Sequence, residues 1–428
     1  MASDVDPQSR LSWLSSIRLA DVAIGLVAVA SLTHAILTAP DHGGDIKVFY
    51  KAGRDWLEGE SPLISGAAKL YPPFAYPLFS LLAHLQVKYV VLLWLLINLA
   101  ATAVVVLLTC RLMADKWPRR TVIYLAAFFI AWAPFRVTLR MGQNSLVVSA
   151  LLMAALLSLQ KRARFASGLL LALSLVKYSM TLPFMLYIAW KREWKILAVA
   201  IALMLLLTEV YARHLGTTIL ASVSSSVAMV SSVQMVGRSG FTGTTGIRML
   251  LWDLTDENAQ LTLALTTAFR LLGLAAMAIV FVRRPRWQTL QFAALSLFAL
   301  WSAYHRVYDS VLCIIPTALV VDFIVKKKFV RFARFWLGAM GLLVLNIPGL
   351  LTERLRIRPT ALLGNPFGFL ALHIERLLIL GMFCSLLWLA WRSDPGAIAE
   401  HDEPRPTFPD SEPRDDKPGP DLRTTTLA

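Results

Sequence analysis

The residues able to do chemistry in this chain are few, and they stand between long apolar runs. Asp45 opens the most informative stretch. After it, Ile46, Phe49, Tyr50, Gly53, Trp56 and Leu57 recur at helical spacing on one face. Lys47, Lys51, Arg54, Asp55 and Glu58 recur on the other, and Gly59 follows as a stop. The pattern predicts a short amphipathic helix lying along a membrane surface, with Asp45 at its N-cap. An aspartate at such a place satisfies backbone N–H groups. Where water meets lipid it can also take a proton from a substrate hydroxyl, and the two roles are compatible. Asp41, in the approach to the helix, and Asp55, on its polar face, are weaker rivals.

Three further groups carry polar chemistry. Arg136, Arg140, Gln143 and Asn144 crowd one short connection. They read either as an interfacial loop meeting lipid headgroups or as a clamp for phosphate and sugar hydroxyls, since arginine presents a planar fork of donors. Tyr304-His305-Arg306-Val307-Tyr308-Asp309 joins two apolar runs through a tight turn. His305 and Asp309 are four apart and can share a face, while Arg306 and Asp309 can pair with each other. Lys177 stands inside an apolar segment, where an ammonium needs a partner or a wet cavity. Tyr71-Pro72-Pro73 through Pro77 reads as a structural bend, because proline fixes φ and restrains the residue before it.

Several chemistries are not written in the chain. It contains no GxSxG elbow, no P-loop and no dinucleotide glycine fingerprint. Cys110, Cys313 and Cys384 all lie in apolar runs without metal-ligand spacing, so neither a disulfide framework nor a zinc site is expected. Asp41, Asp45, Asp55 and Glu58 are too dispersed to require a metal, and no cofactor is expected.

The elements that must hold these residues are membrane helices. Of 428 residues, 57% are hydrophobic and 16% charged, and the mean hydropathy is +0.61. That composition belongs to an integral membrane protein and not to a soluble domain. The net charge of +15 follows from basic cytoplasmic connections and does not imply nucleic acid. Full spans are predicted at about 19–38, 87–112, 121–136, 145–160, 196–213, 261–282, 288–304, 308–325, 334–350 and 367–391. The first is long enough to span and is not followed by a cleavable-signal pattern.

Basic connections around Lys116–Arg120, Lys161–Arg164, Lys191–Lys195, Arg283–Arg286 and Lys326–Arg334 orient the spans. If all face the cytoplasm, both termini do too. Residues 166–190 then lie between two connections that both want to be inside. They are expected to form a broken, re-entrant helix pair with Lys177 near its tip, beside a cavity. The expected organisation is a cytoplasmic segment 1–18, a membrane domain 19–392 with external loops 39–86 and 214–260, and a disordered cytoplasmic tail 393–428. The shorter connections 137–144 and 351–366 would also lie outside.

The order Asp45-Ile46-Lys47-Val48-Phe49-Tyr50, Trp56-Leu57-Glu58-Gly59, Tyr71-Pro72-Pro73, Gly142-Gln143-Asn144 and Gly168 to Lys177 resembles glycosyltransferase family 87. The chain has Tyr178 where that family usually has proline, Ile46 where it usually has an aromatic, and His305-Arg306 where its mannosyltransferase branch pairs histidines. The resemblance implies an all-α helix bundle of GT-C type in the cell inner (plasma) membrane. It implies transfer of a hexosyl, first of all mannosyl, or pentosyl group from a polyprenyl-phosphate sugar to a glycolipid or glycan acceptor on the extracytoplasmic side. The first-loop aspartate of the family falls on Asp45, as general base of an inverting single displacement. Substrate would be held by Arg140, Gln143, Asn144, Lys177, His305 and Arg306. A transporter or flippase of lipid-linked sugars is the alternative; it should show paired broken helices, and only one broken segment is evident. A non-catalytic assembly subunit is a third reading.

Overall fold

The computed structural model describes residues 19–65, 71–113, 117–234, 246–285, 287–303, 305–345 and 347–393. The expected segment 1–18 and nearly all of the tail 393–428 lie outside the described residues. Within them the chain is helical from Leu19 to Arg392, and no strand occurs among the described residues.

Eight helices among the described residues are long and apolar enough to cross a membrane. By length alone Arg164–Trp190 is one of them. Its ends, however, meet: Arg164 Nε lies 2.8 Å from Glu193 Oε2. Gly168 packs so tightly on the next helix that an added Cβ would lie 2.8 Å from the Ile196 carbonyl oxygen. A straight helix of that length would hold its ends about 40 Å apart. The segment is therefore the expected re-entrant pair, Arg164–Ser174 and Tyr178–Trp190. One tight turn over Leu175–Lys177 reverses it, with Lys177 at φ −115°, ψ 68°.

The other seven run between two distinct ends of the bundle, and a bent pair does the same. Arg119–Ala131 and Ala133–Met141 meet at 58° around Trp132. Two helices expected as full spans, Ser145–Gln160 and Gln288–Ser302, are shorter, with 16 and 15 residues. About 22–24 Å of helix falls short of the roughly 30 Å hydrocarbon thickness. Every residue from Leu290 to Ser302 is buried, so protein and not lipid sets the length limit there.

The basic connections gather at one end. Gln160 Nε2 lies 3.2 Å from Gln288 Oε1, Lys191 Nζ 3.0 Å from the Pro285 carbonyl, and Arg284 Nε 2.8 Å from the Ala390 carbonyl. Trp117 Nε1 donates to Asp322 Oδ1 at 2.9 Å, and Trp287 packs on Phe323. Thus Arg119-Arg120, Lys161–Arg164, Lys191–Lys195, Arg283-Arg284 and Lys326–Lys328 share one face of the bundle, as the charge pattern predicts.

The opposite end carries the larger connections. In the 214–260 connection, helices Ile219–Gln234 and Ile247–Leu254 flank residues 235–245, which lie outside the described residues. In the 39–86 connection, helix Gly44–Leu57 buries Ile46, Phe49, Ala52, Gly53 and Trp56. Phe49 stacks on Phe79 at 4.9 Å and meets Tyr71 edge-on at 5.1 Å. Trp56 Nε1 reaches the Tyr211 carbonyl at 3.4 Å. Gly53 makes room for the crossing with Tyr76–Ala83: a Cβ there would sit 2.5 Å from the Phe79 backbone. Two details depart from the amphipathic pattern. Leu57 is exposed, and Asp55 is buried, neutralised by Lys51 one turn away at 2.8 Å.

Candidate active site

The helix that carries Asp45 starts two residues earlier than its sequence suggests. Gly43, at φ +28°, is the N-cap, and Asp45 sits in the first turn. A carboxylate there still favours the positive end of the helix dipole. Among the described residues no backbone N–H of that turn donates to its side chain, which is partly exposed and so remains available for other chemistry.

Facing it is the turn after Ala133–Met141. The expected 137–144 loop is helical as far as Met141, and Arg140 belongs to that helix. Gly142 then enters the left-handed region at φ +66°. A Cβ at Gly142 would lie 2.8 Å from Ile46 Cγ2, so only glycine satisfies both the backbone angle and the close approach. The turn aims Gln143 at Asp45: Nε2 donates to Asp45 Oδ2 at 2.5 Å. Among the described residues no donor reaches Asp45 Oδ1.

The other end of the Gln143 amide is held from the re-entrant tip. Lys177 Nζ donates to Gln143 Oε1 at 3.1 Å and to Ser145 Oγ at 2.8 Å, and lies 2.5 Å from Asp309 Oδ1. An ammonium has three N–H donors, and these three acceptors use them all. Ser145 Oγ also donates to Asp309 Oδ1 at 2.7 Å. Asp309 Oδ2 lies 3.0 Å from His305 Nδ1 and accepts the Arg306 backbone N–H at 3.3 Å. The expected pairing of His305 with Asp309 is thus present, on an extended link into a tight 3₁₀ turn over Val307–Cys313. The Tyr308 ring lies 4.6 Å from Lys177 Nζ.

Four separate segments converge here: the surface helix, the Gly142–Ser145 turn, the re-entrant tip and the 305–309 turn. Lys177, Asp309 and His305 are all buried, a placement that a charged group tolerates only when paired. His305 Nε2 and both amide atoms of Asn144 are among the buried polar atoms left unsatisfied by the described residues. Buried polar atoms without partners are uncommon and mark where another molecule can supply them. The Tyr71 hydroxyl lies near Asn144 without hydrogen-bond geometry. Its burial, then the negative charges of Asp45 and Asp309, hold its pKa well above the ordinary phenol value, so it stays an O–H donor.

Most of the residues singled out in the sequence meet here. Asp45, Gln143, Lys177 and His305 form one connected chain, and Asn144 lies against it. The expectation that Lys177 helps to hold substrate meets an ammonium whose three donors lie on Gln143, Ser145 and Asp309. Arg306 contributes its backbone N–H to Asp309, and its side chain is exposed. Arg140 instead lines a separate cavity with Arg136 and His34. Tyr304 lies outside the described residues. Ser145 was not anticipated: at the head of an apolar run it reads as a helix-start residue, and only its contacts with Lys177 and Asp309 give it more. Tyr71, read from its prolines as a bend, also belongs to the site. No group of three His, Cys, Asp or Glu among the described residues is arranged to hold a metal ion.

An all-helical polytopic membrane protein with a buried polar site at the end opposite its basic connections is the class that fold and site define. The sequence profile of glycosyltransferase family 87 matches residues 70–304, more than half of the 428-residue chain. The chain belongs to that family and is a membrane glycosyltransferase. No curated protein and no solved structure matches it. The matched region holds Tyr71, Gln143, Asn144, Ser145 and Lys177; Asp45 precedes it and His305 follows it.

Proposed function

We propose that this glycosyltransferase moves a hexosyl group, mannosyl in the first instance, or a pentosyl group from a polyprenyl-phosphate sugar to a lipid or polysaccharide acceptor. The observation that carries the reading is the Asp45 carboxylate. Gln143 pins one oxygen at 2.5 Å, and the other is open among the described residues. That is the arrangement a general base needs: a fixed orientation and a free lone pair.

In the proposed step the acceptor hydroxyl oxygen attacks the anomeric carbon. Its proton passes to Asp45 Oδ1. The bond from the anomeric carbon to the phosphate oxygen breaks, and the electron pair leaves with polyprenyl phosphate. One displacement inverts the anomeric centre. The leaving group is a stabilised anion, so the step demands a base more than an acid. His305, anchored through Nδ1 by Asp309, would turn Nε2 toward the phosphate and, when that nitrogen carries a proton, donate to the charge that develops there, aided by the Arg306 side chain. Asn144 and Tyr71 would bond sugar hydroxyls. Lys177 would act by positioning: held by Asp309 and Ser145, it orients the Gln143 amide so that its N–H meets Asp45. The site would face away from the cytoplasm, because the basic connections occupy the opposite end.

The reading is tested by incubating purified protein with radiolabelled decaprenyl- or undecaprenyl-phosphoryl sugars and a lipid extract. The expected result is a labelled glycolipid or glycan whose anomeric configuration is opposite to the donor's. Movement of the donor between leaflets with no new glycosidic bond would point instead to transport.

A further inference from the structure

A cavity with polar walls lies apart from the Asp45 chain. It has a volume of about 180 Å³ and lies between helix Leu19–His42, helix Ala133–Met141 and the residues Leu345, Gly349 and Leu350. A water needs about 10–15 Å³ of such space, so a phosphate group and its ester oxygens fit with room to spare.

The charge of its walls is one-sided. Arg136 and Arg140 both face it, and so do His34 and Thr38; no acidic side chain is among its described lining residues. Arg136 and Arg140 stand four apart on one short helix, where like charges repel and weaken the helix unless an anion lies between them. Arg136 is anchored at one side, with Nη1 on the Ala131 carbonyl and on Ser31. Arg140 Nε is buried and finds no acceptor among the described residues. An orphaned guanidinium N–H beside a cavity of matching chemistry points to a missing anionic partner.

The remaining walls are apolar, and the flanking Leu37, Leu345 and Leu350 are exposed on the bundle's outside. Exposed leucines on a membrane helix face acyl chains. A ligand here would set an anionic head among the cations and run an apolar tail into the bilayer.

We propose that this cavity seats the phosphate of a lipid. Two sources share that chemistry: a polyprenyl phosphate held apart from His305, before or after transfer, and a phospholipid of the surrounding bilayer. Both cavity walls lead to the catalytic contact. Thr38 precedes Asp45 along one segment, and Arg140 precedes Gln143 by three residues along the other. A lipid phosphate seated here therefore lies next to the elements that bring Asp45 and Gln143 together.

The test is native mass spectrometry of the full-length protein in detergent with three added lipids: undecaprenyl phosphate, dioleoylphosphatidylglycerol and uncharged dioleoylglycerol. The wild type should retain one or both phosphate lipids and not the diacylglycerol. Arg136→Gln/Arg140→Gln should weaken that retention about tenfold or more, the effect of losing charge-assisted hydrogen bonds. Thr38→Leu, which fills the cavity and leaves both cations, should weaken it as well and serves if the double variant does not fold. Selective loss of undecaprenyl phosphate assigns the seat to a polyprenyl lipid, and selective loss of phosphatidylglycerol to a bilayer lipid. Equal retention of both phosphate lipids by a folded Arg136→Gln/Arg140→Gln variant overturns the proposal, and so does equal retention of diacylglycerol by the wild type. Asp45→Asn should bind as the wild type does, so failure of the catalytic reading is separable from failure here.

Discussion

Gly142 and Ile46 touch so closely that a single added methyl at Gly142 would lie 2.8 Å from Ile46 Cγ2. Their contact presses the turn that carries Gln143 onto the first turn of the helix that carries Asp45. The hydrogen bond between those two side chains is a consequence of that fit. Gly142→Ala should weaken turnover and lower stability by about 1–3 kcal/mol, from backbone strain and overpacking together. Gly142→Asn tolerates the left-handed backbone yet keeps the collision. It should therefore fail nearly as badly, as measured by product formation and thermal unfolding. Rescue by asparagine would assign the whole effect to backbone angle and none to the contact.

Asp45→Asn removes the base while keeping the shape. Turnover should fall by about 10²–10⁴-fold, the usual worth of general-base catalysis. Expression and thermal unfolding should stay close to wild type, since the side chain is partly exposed and an asparagine Oδ1 can still accept from Gln143. Near-normal product formation by the variant would take Asp45 out of the mechanism.

Lys177 and Asp309 form a buried ion pair, and their separate and joint removal should differ. Lys177→Met or Asp309→Asn alone leaves one buried charge uncompensated, at a cost of about 3–5 kcal/mol. The double variant should regain much of that stability. It should not regain turnover, because nothing then fixes the Gln143 amide. Thermal unfolding and product formation on the same three samples test this, and recovery of activity in the double variant would argue against a positioning role.

His305 offers a buried Nε2 with no partner among the described residues. His305→Phe keeps the volume and removes the donor. The maximal rate should fall by about 10²–10³-fold, the range for losing one donor to a developing negative charge. The fall should appear in kcat more than in KM. A change confined to KM for the donor would assign His305 to ground-state binding.

Gly53 lets the surface helix cross Tyr76–Ala83 at backbone contact. Gly53→Val should force the helices apart and destabilise the fold by about 1–3 kcal/mol. Gly59, also in the 39–86 connection, has open space around its α-carbon. Its left-handed φ of +81° makes Gly59→Asn the matched control, expected to be nearly neutral in thermal unfolding.

Much of the architecture follows from the chain alone. Long apolar runs must become helices, because backbone groups in hydrocarbon have no other way to be satisfied. The basic connections sort to one end for reasons of charge, and that constraint also exposes the re-entrant pair: two basic ends with one apolar segment between them cannot lie on opposite faces. Asp45, Lys177 and His305 are visible as ionisable groups in places too costly to keep without purpose.

Tertiary packing decided the rest. No pattern in sequence says that Lys177 spends its three donors on Asp309, Ser145 and Gln143, because those residues are distant in the chain and meet only when four segments converge. The separation of Arg140 from Gln143, three residues apart but one lining a cavity and the other bonded to Asp45, is likewise set by the bend at Trp132 and the left-handed turn at Gly142. Periodicity assigns a residue to a helix and a face. Which neighbour fills the space opposite depends on how rigid helices pack, and that is a property of the whole bundle.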